Sequence, residues 1–270
     1  MIQIKDLNFA YPGQQALFKS LSVHLEAGSI TGLLGKNGAG KTSLLKLLIG
    51  LLHPQSGNVS VQGQKPMNRN VSFLENVFFV PEEFYFPAIS ITEYQKANTP
   101  FYPNFDHEMM ERILVDFELQ KENNLQRLSF GQKKKFLIAF SLATRCPLLV
   151  LDEPTNGLDI PSKSLFRKIL AGSIDTNQLV IISTHQVKDV ENLIDKIIIL
   201  DKGRVIFQEN IADISQKVSF ISGTSADLPG AIYSEQIPGG YRIIASDRHT
   251  ETEVDIELLF NAITNGKKIV

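Results

Sequence analysis

Apolar and polar residues alternate over residues 2–9 and 21–25, the period of two expected of half-buried strands, and Tyr11-Pro12-Gly13 supplies a turn between them. This predicts a small antiparallel β layer at the start of the chain. Residues 30–34 are instead a mostly apolar run, and residues 43–52 take on a helical period. Residues 57–61 and 76–80 read as further strands, the second running into Pro81-Glu82-Glu83 and then Phe84-Tyr85-Phe86-Pro87. From residue 84 the character changes. Two helices are predicted, over 91–97 and 106–118, joined by Thr99-Pro100-Phe101-Tyr102-Pro103. Leu128-Ser129-Phe130-Gly131-Gln132 then opens a helix to about residue 145, so that a helical subdomain occupies about 84–146.

Residues 148–151 are apolar and end in Asp152-Glu153-Pro154, the pattern of a buried parallel strand with acids at its C-terminal edge. A turn at Asn156-Gly157-Leu158-Asp159 precedes a helix over 161–171. Residues 179–183 read as another buried strand, ending at Thr184-His185. A helix near 188–194 and strands over 197–200 and 203–207 complete the sheet. From about residue 218 short alternating segments and the turns Leu228-Pro229-Gly230 and Ile237-Pro238-Gly239-Gly240 lead to an amphipathic stretch over 254–263. The fold predicted is α/β, with a mainly parallel sheet, an N-terminal antiparallel β layer, an inserted helical subdomain and a small α+β tail. The expected division is a main domain over 1–217 and an extension over 218–270.

Composition narrows the function class. The 270 residues include 43% hydrophobic ones, enough for a full core, and the net charge of −2 supplies no basic field for nucleic acid. The single cysteine, Cys146, excludes an internal disulfide and suits a reducing compartment. Residues 1–6 alternate like a strand rather than a signal peptide. No apolar run reaches the ~18 residues of a membrane span, and the best candidate, 44–52, is interrupted by Lys46.

The candidate chemistry centres on Gly35-Lys36-Asn37-Gly38-Ala39-Gly40-Lys41-Thr42, between the apolar run and the helix that Ser43 continues. Strand, glycine-rich turn and helix form the setting in which this spacing makes a P-loop for ATP or GTP. Gly35, Gly38 and Gly40 would let the backbone curl so that successive N–H groups face a phosphate, reinforced by the helix N-terminus. Lys41 would reach the outer phosphates, and Thr42 would place its hydroxyl on Mg²⁺. Asp152 would complete that metal site through water, and Glu153 would orient the attacking water. Ser129 and Gln132 make a capping box, while Gly131 in a first helical turn implies close approach of another group. Lys133-Lys134-Lys135 reads as a solvated face. Tyr11 could pack on the surface or stack on a base.

Taken in order, these motifs resemble the ATP-binding cassette of ABC transporters over residues 1 to about 215, and Pro81-Glu82-Glu83 with Phe101-Tyr102-Pro103-Asn104-Phe105-Asp106 looks like bacterial exporter-type subunits. The resemblance implies that two cassettes sandwich two ATP molecules, with Ser129 and the Gly131 N–H of one reaching the γ-phosphate held by the other. It implies that Tyr11 stacks on adenine and that His185 contacts the γ-phosphate. It also implies a separate membrane-spanning subunit, engaged by the helical insertion at the cytoplasmic face of the membrane. Two positions depart from the family pattern. Glu82 stands where glutamine is usual, as a candidate ligand of Mg²⁺, and Phe130 stands where glycine is commonest. A soluble cassette ATPase working on ribosomes or DNA is the alternative, but only one P-loop and a short insertion are present.

Overall fold

Neighbouring residues in the buried apolar runs point to opposite faces of one sheet: Ile197 and Ile199 enter one core, Ile198 and Leu200 the other. The computed structural model describes residues 1–225, 230–246 and 252–269. The chain begins with β1 (Ile2–Phe9), β2 (Phe18–Leu25), β3 (Ser29–Leu34), α1 (Lys41–Leu48), β4 (Ser56–Val61), the single-turn α2 (Val71–Leu74) and β5 (Val77–Val80). It continues with α3 (Ile91–Asn98), α4 (His107–Asp116), α5 (Phe130–Ala143), β6 (Leu148–Asp152), α6 (Ile160–Ser173) and β7 (Leu179–Thr184). The rest is β8 (Lys196–Asp201), β9 (Arg204–Asn210), α7 (Ile211–Lys217), β10 (Ser219–Gly223), β11 (Ala231–Ile237), β12 (Gly240–Ala245) and α8 (Ile256–Thr264).

The central sheet has the order β5-β6-β7-β3-β8-β9. All its pairings are parallel except that of β9 with β8. One face packs against α1 and the antiparallel sheet β2-β1-β4, with Leu45, Phe18 and Ile2 fully buried between them. The other face carries the helical insertion, α5, α6 and the tail. Ile244, Leu258 and Leu259 of the tail enter the same apolar cluster as Phe136 and Phe140 of α5. The tail sheet itself has the order β10-β12-β11 and is antiparallel.

Local chemistry sets the element ends. Asp106, Ser129 and Asp159 each cap a helix by accepting from the backbone N–H three residues on, and Ser129 forms the expected capping box with Gln132. The first helix runs over 41–48 rather than 43–52. Gly50 adopts a left-handed φ of 72° just beyond it, and a side chain there would meet the Pro66 carbonyl oxygen at 2.1 Å. The helix expected near 188–194 is absent. Val187–Asp189 and Glu191–Leu193 form two 3₁₀ turns instead, because the buried Val187, Val190 and Leu193 recur every three residues. Helix α7 had no predicted counterpart. Leu228 and Pro229 of the expected tail turn lie outside the described residues.

The aromatic residues of the insertion divide by environment. Phe86 is buried with its ring 5.3 Å from Phe136 and 5.4 Å from Tyr94, whereas Tyr85 is 98% exposed and Phe101 64%.

Candidate nucleotide site

Parallel register brings the motifs to one edge. Val80 stands opposite Leu151, Asp152 opposite Ser183, and Leu34 opposite Thr184. The segments that follow, bearing Glu82, Glu153, His185 and the P-loop, therefore all leave the carboxyl end of the sheet, where open α/β sheets bind ligands. They surround a cleft of about 600 Å³ lined by Tyr11, residues 37–43, Glu82, Glu153 and His185.

The glycines of the P-loop have different reasons to be there. Gly38 and Gly40 take left-handed φ values of 79° and 106°. Gly35 has no such conformation; a side chain there would meet the Leu200 carbonyl oxygen at 2.5 Å, so its role is close packing against β8. Lys41 folds back over the loop, its Nζ donating to the Gly35 carbonyl at 2.7 Å and to that of Lys36 at 3.5 Å. Burial holds the Lys41 ammonium below its usual pKa, offset in part by Glu153, Asp152 and Glu82. The Tyr11 hydroxyl and Ser43 Oγ lie 2.9 Å apart, and the Tyr11 ring meets Phe9 edge-on.

The acidic edge is closely knit. Thr42 Oγ1 donates to Asp152 Oδ2 at 2.8 Å, and Ser183 Oγ donates to Asp152 Oδ1. Glu153 Oε1 lies 2.8 Å from His185 Nδ1 and 3.9 Å from Lys41 Nζ. Glu153 Oε2 is buried without a partner in the structure. The residue also has a φ of 46°, a left-handed conformation that costs of order 1–3 kcal/mol outside glycine. Backbone strain and an orphaned acceptor thus coincide on one buried carboxylate, the kind of combination that concentrates at functional sites. Glu82 Oε1 accepts from Asn156 Nδ2 at 3.0 Å.

Ser129, Gly131 and Gln132 do not line this cleft. They sit at the start of α5, against the turn that follows β6. A side chain on Gly131 would come within 2.8 Å of the Gly157 carbonyl oxygen, so the close approach implied by this glycine is met within the chain. Phe130 stacks on Phe84 at 5.6 Å, and a side chain on Gly157 would strike its ring at 2.5 Å.

Lys134 corrects the solvated-face reading of the lysine run. It is fully buried, and its Nζ donates to the carbonyls of Pro81 at 3.1 Å and Glu82 at 3.2 Å. It also lies over the rings of Phe84 and Phe130, and burial pushes its pKa down to about 8. Nothing in a run of three lysines distinguishes the middle one; only its four-residue spacing from Phe130 hinted that both share a helix face. Ser183 was read only as a strand residue and Asn156 only as part of a turn, without their contacts to Asp152 and Glu82. A serine opposite Asp152 is visible once the strands are aligned, but strand pairing is not written in either segment.

A larger cleft of about 1010 Å³ lies between the tail and the 3₁₀ turns. Arg242 is tied there to Glu235, Asp255 and Glu257, and the cleft contains none of the motif residues.

The pattern of the family described as ABC transporter matches residues 18–156. The chain belongs to the ABC transporter family. It is 31% identical over 212 residues to the SkfA peptide export ATP-binding protein SkfE of Bacillus subtilis, covering 76% of this chain and 87% of that protein. Among solved structures, an ATP-binding subunit of an ABC transporter is 25% identical, with a TM-score of 0.72 over 79% of this chain and 91% of that one. A dimeric ATP-binding cassette in a post-hydrolysis state, bound to ADP and Pi, is 22% identical with a TM-score of 0.68, covering 78% of this chain and 98% of that one, and shares the fold. The chain is thus an ABC-type ATPase subunit that drives transport through a separate membrane-spanning subunit. Among the described residues no helix is long and apolar enough to cross a membrane.

Proposed function

We propose that the cleft binds ATP for hydrolysis and that two cassettes must meet to complete each site. The observation that carries this reading is the separation within one chain: P-loop, acids and His185 share a cleft that Ser129, Gly131 and Gln132 do not line. The P-loop backbone of residues 35–41 would cradle the phosphates, with Lys41 turning from its loop carbonyls to their outer oxygens. Tyr11, beside Ser43 at one end of the cleft, would stack on the adenine. Glu153, which lines the cleft, would hold the attacking water and accept its proton. His185, oriented by Glu153 through Nδ1, would present Nε2 to the γ-phosphate. Ser129, Gly131 and Gln132 at the start of α5 would close the partner's site from across the dimer.

The donor set suits Mg²⁺. Thr42 Oγ1 and Asp152 are already in contact, Glu82 lines the same cleft, and all three offer hard oxygens. Bound with the phosphates, the ion would neutralise their charge and favour attack at phosphorus. The partner cassette is a second copy or a related chain; we take the insertion, with Tyr85 exposed at its edge, as the contact to the membrane-spanning subunit at the cytoplasmic face. Likeness to a peptide-export subunit supports export as the direction.

The test is concentration. ATPase activity per molecule should rise with protein concentration between nanomolar and tens of micromolar, and Lys41→Ala should abolish tight ATP binding. A flat specific activity would contradict the composite site.

A further inference from the structure

We propose that Lys134 is a positioning residue that anchors the Pro81–Glu82 turn, and through it the Glu82 carboxylate, to the start of α5. This rests on the reading of the cleft as an ATP site. Strand β5 lies at the edge of the central sheet and ends at Val80. Beyond it, residues 81–86 make no backbone–backbone hydrogen bonds among the described residues. The main chain that carries Glu82 into the cleft is therefore held by side chains. Two of its carbonyls, Pro81 and Glu82, accept from Lys134 Nζ, and the Glu82 carboxylate accepts from Asn156.

Lys134 is itself seated firmly. The side chain is wholly buried, and its ammonium lies 5.2 Å from the Phe84 ring centre and 5.7 Å from that of Phe130. Phe84 belongs to the turn, and Phe130 is the first residue of α5, next to Ser129. One ammonium thus bridges the helix start and the strand-end turn, by two hydrogen bonds and two ring faces. A displacement of the α5 start, where the second cassette would bind, has this direct mechanical link to Glu82. An ordinary surface lysine would be hydrated and free to turn; a buried one without carbonyl partners would be strongly destabilising. The two carbonyls give this charge its place in the interior, and in return it defines theirs.

The experiment compares the full chain with Lys134→Met, which keeps the stem between the rings but removes the donors, and with Lys134→Arg, which keeps a cation. Lys134→Met should raise the Mg²⁺ concentration needed for half-maximal ATP-induced thermal stabilisation at least threefold and lower kcat about tenfold. Its affinity for a fluorescent ATP analogue without Mg²⁺ should change less than threefold. Lys134→Arg should recover part of the loss. In a Glu82→Ala background Lys134→Met should have no further effect on the Mg²⁺ midpoint. An unchanged midpoint, or equal shifts with and without Glu82, overturns the proposal. If Lys134→Met does not fold, Lys134→Leu, which also lacks a donor, carries the same comparison. A wild-type chain that fails to bind ATP would refute the site reading instead, a result these variants do not mimic.

Discussion

His185 Nδ1 lies 2.8 Å from Glu153 Oε1, so the residue that follows β7 and the carboxylate that follows β6 orient one another. Lys41 Nζ stands 3.9 Å from the same oxygen. Two nitrogen groups thus converge on Oε1, while Oε2 faces the interior without a partner. The contacts on Oε1 fix the direction of the carboxylate, while Oε2 is shut off from solvent and keeps its lone pairs, so a base role requires the side chain to turn toward the water when ATP is bound.

Replacing Glu153 by glutamine keeps the shape but removes the base. Hydrolysis should fall roughly 10²-fold or more, while ATP continues to bind and now stabilises a dimer. Phosphate release and size-exclusion chromatography measure the two effects. Turnover at the wild-type rate would refute the assignment.

Glutamine at Glu82 would bring an amide that donates as well as accepts, whereas the ionised carboxylate only accepts. The carboxylate is the better Mg²⁺ ligand, and it stands beside the other acids of the cleft. ATP-driven dimerisation should accordingly depend more steeply on Mg²⁺ in the wild type than in Glu82→Gln. Superimposable titrations would show that Glu82 does not meet the metal.

Tyr85 and Phe86 are neighbours with opposite roles. Tyr85 is 98% exposed and lines a groove with Phe84 and Phe130, while Phe86 packs on Tyr94 and Phe136. Tyr85→Ser should leave thermal stability unchanged and weaken assembly with a co-expressed membrane-spanning subunit. Phe86→Ala should destabilise the chain by about 3 kcal/mol or more, read by denaturant unfolding. Crosslinks from position 85 that never reach the membrane subunit would count against this surface.

Cys146 is buried, and burial pushes its thiol pKa up to about 12. The thiolate is the reactive form, so at pH 8 the folded protein should react with a disulfide reagent orders of magnitude more slowly than the denatured chain. Stoichiometric labelling within seconds in the folded state would contradict the buried placement.

Most of the succession of elements, and the chemistry at their ends, was legible in the residues alone. The apolar run at 148–151 and the mostly apolar stretches at 30–34 and 179–183 read as buried strands, and each ends in a motif whose residue types suit phosphate or metal. The capping box at Ser129 and Gln132 was equally legible, because its hydrogen bonds join residues three apart. What spans greater distances was not. The register that sets Ser183 beside Asp152 and the 3₁₀ turns after His185 both depend on partners far along the chain. So does the burial of Lys134. Its neighbours Lys133 and Lys135 have the same side chain. Only the folding of the β5 exit over α5 gives the middle lysine two carbonyls and two rings in place of water, and that replacement of solvent is a property of the tertiary structure.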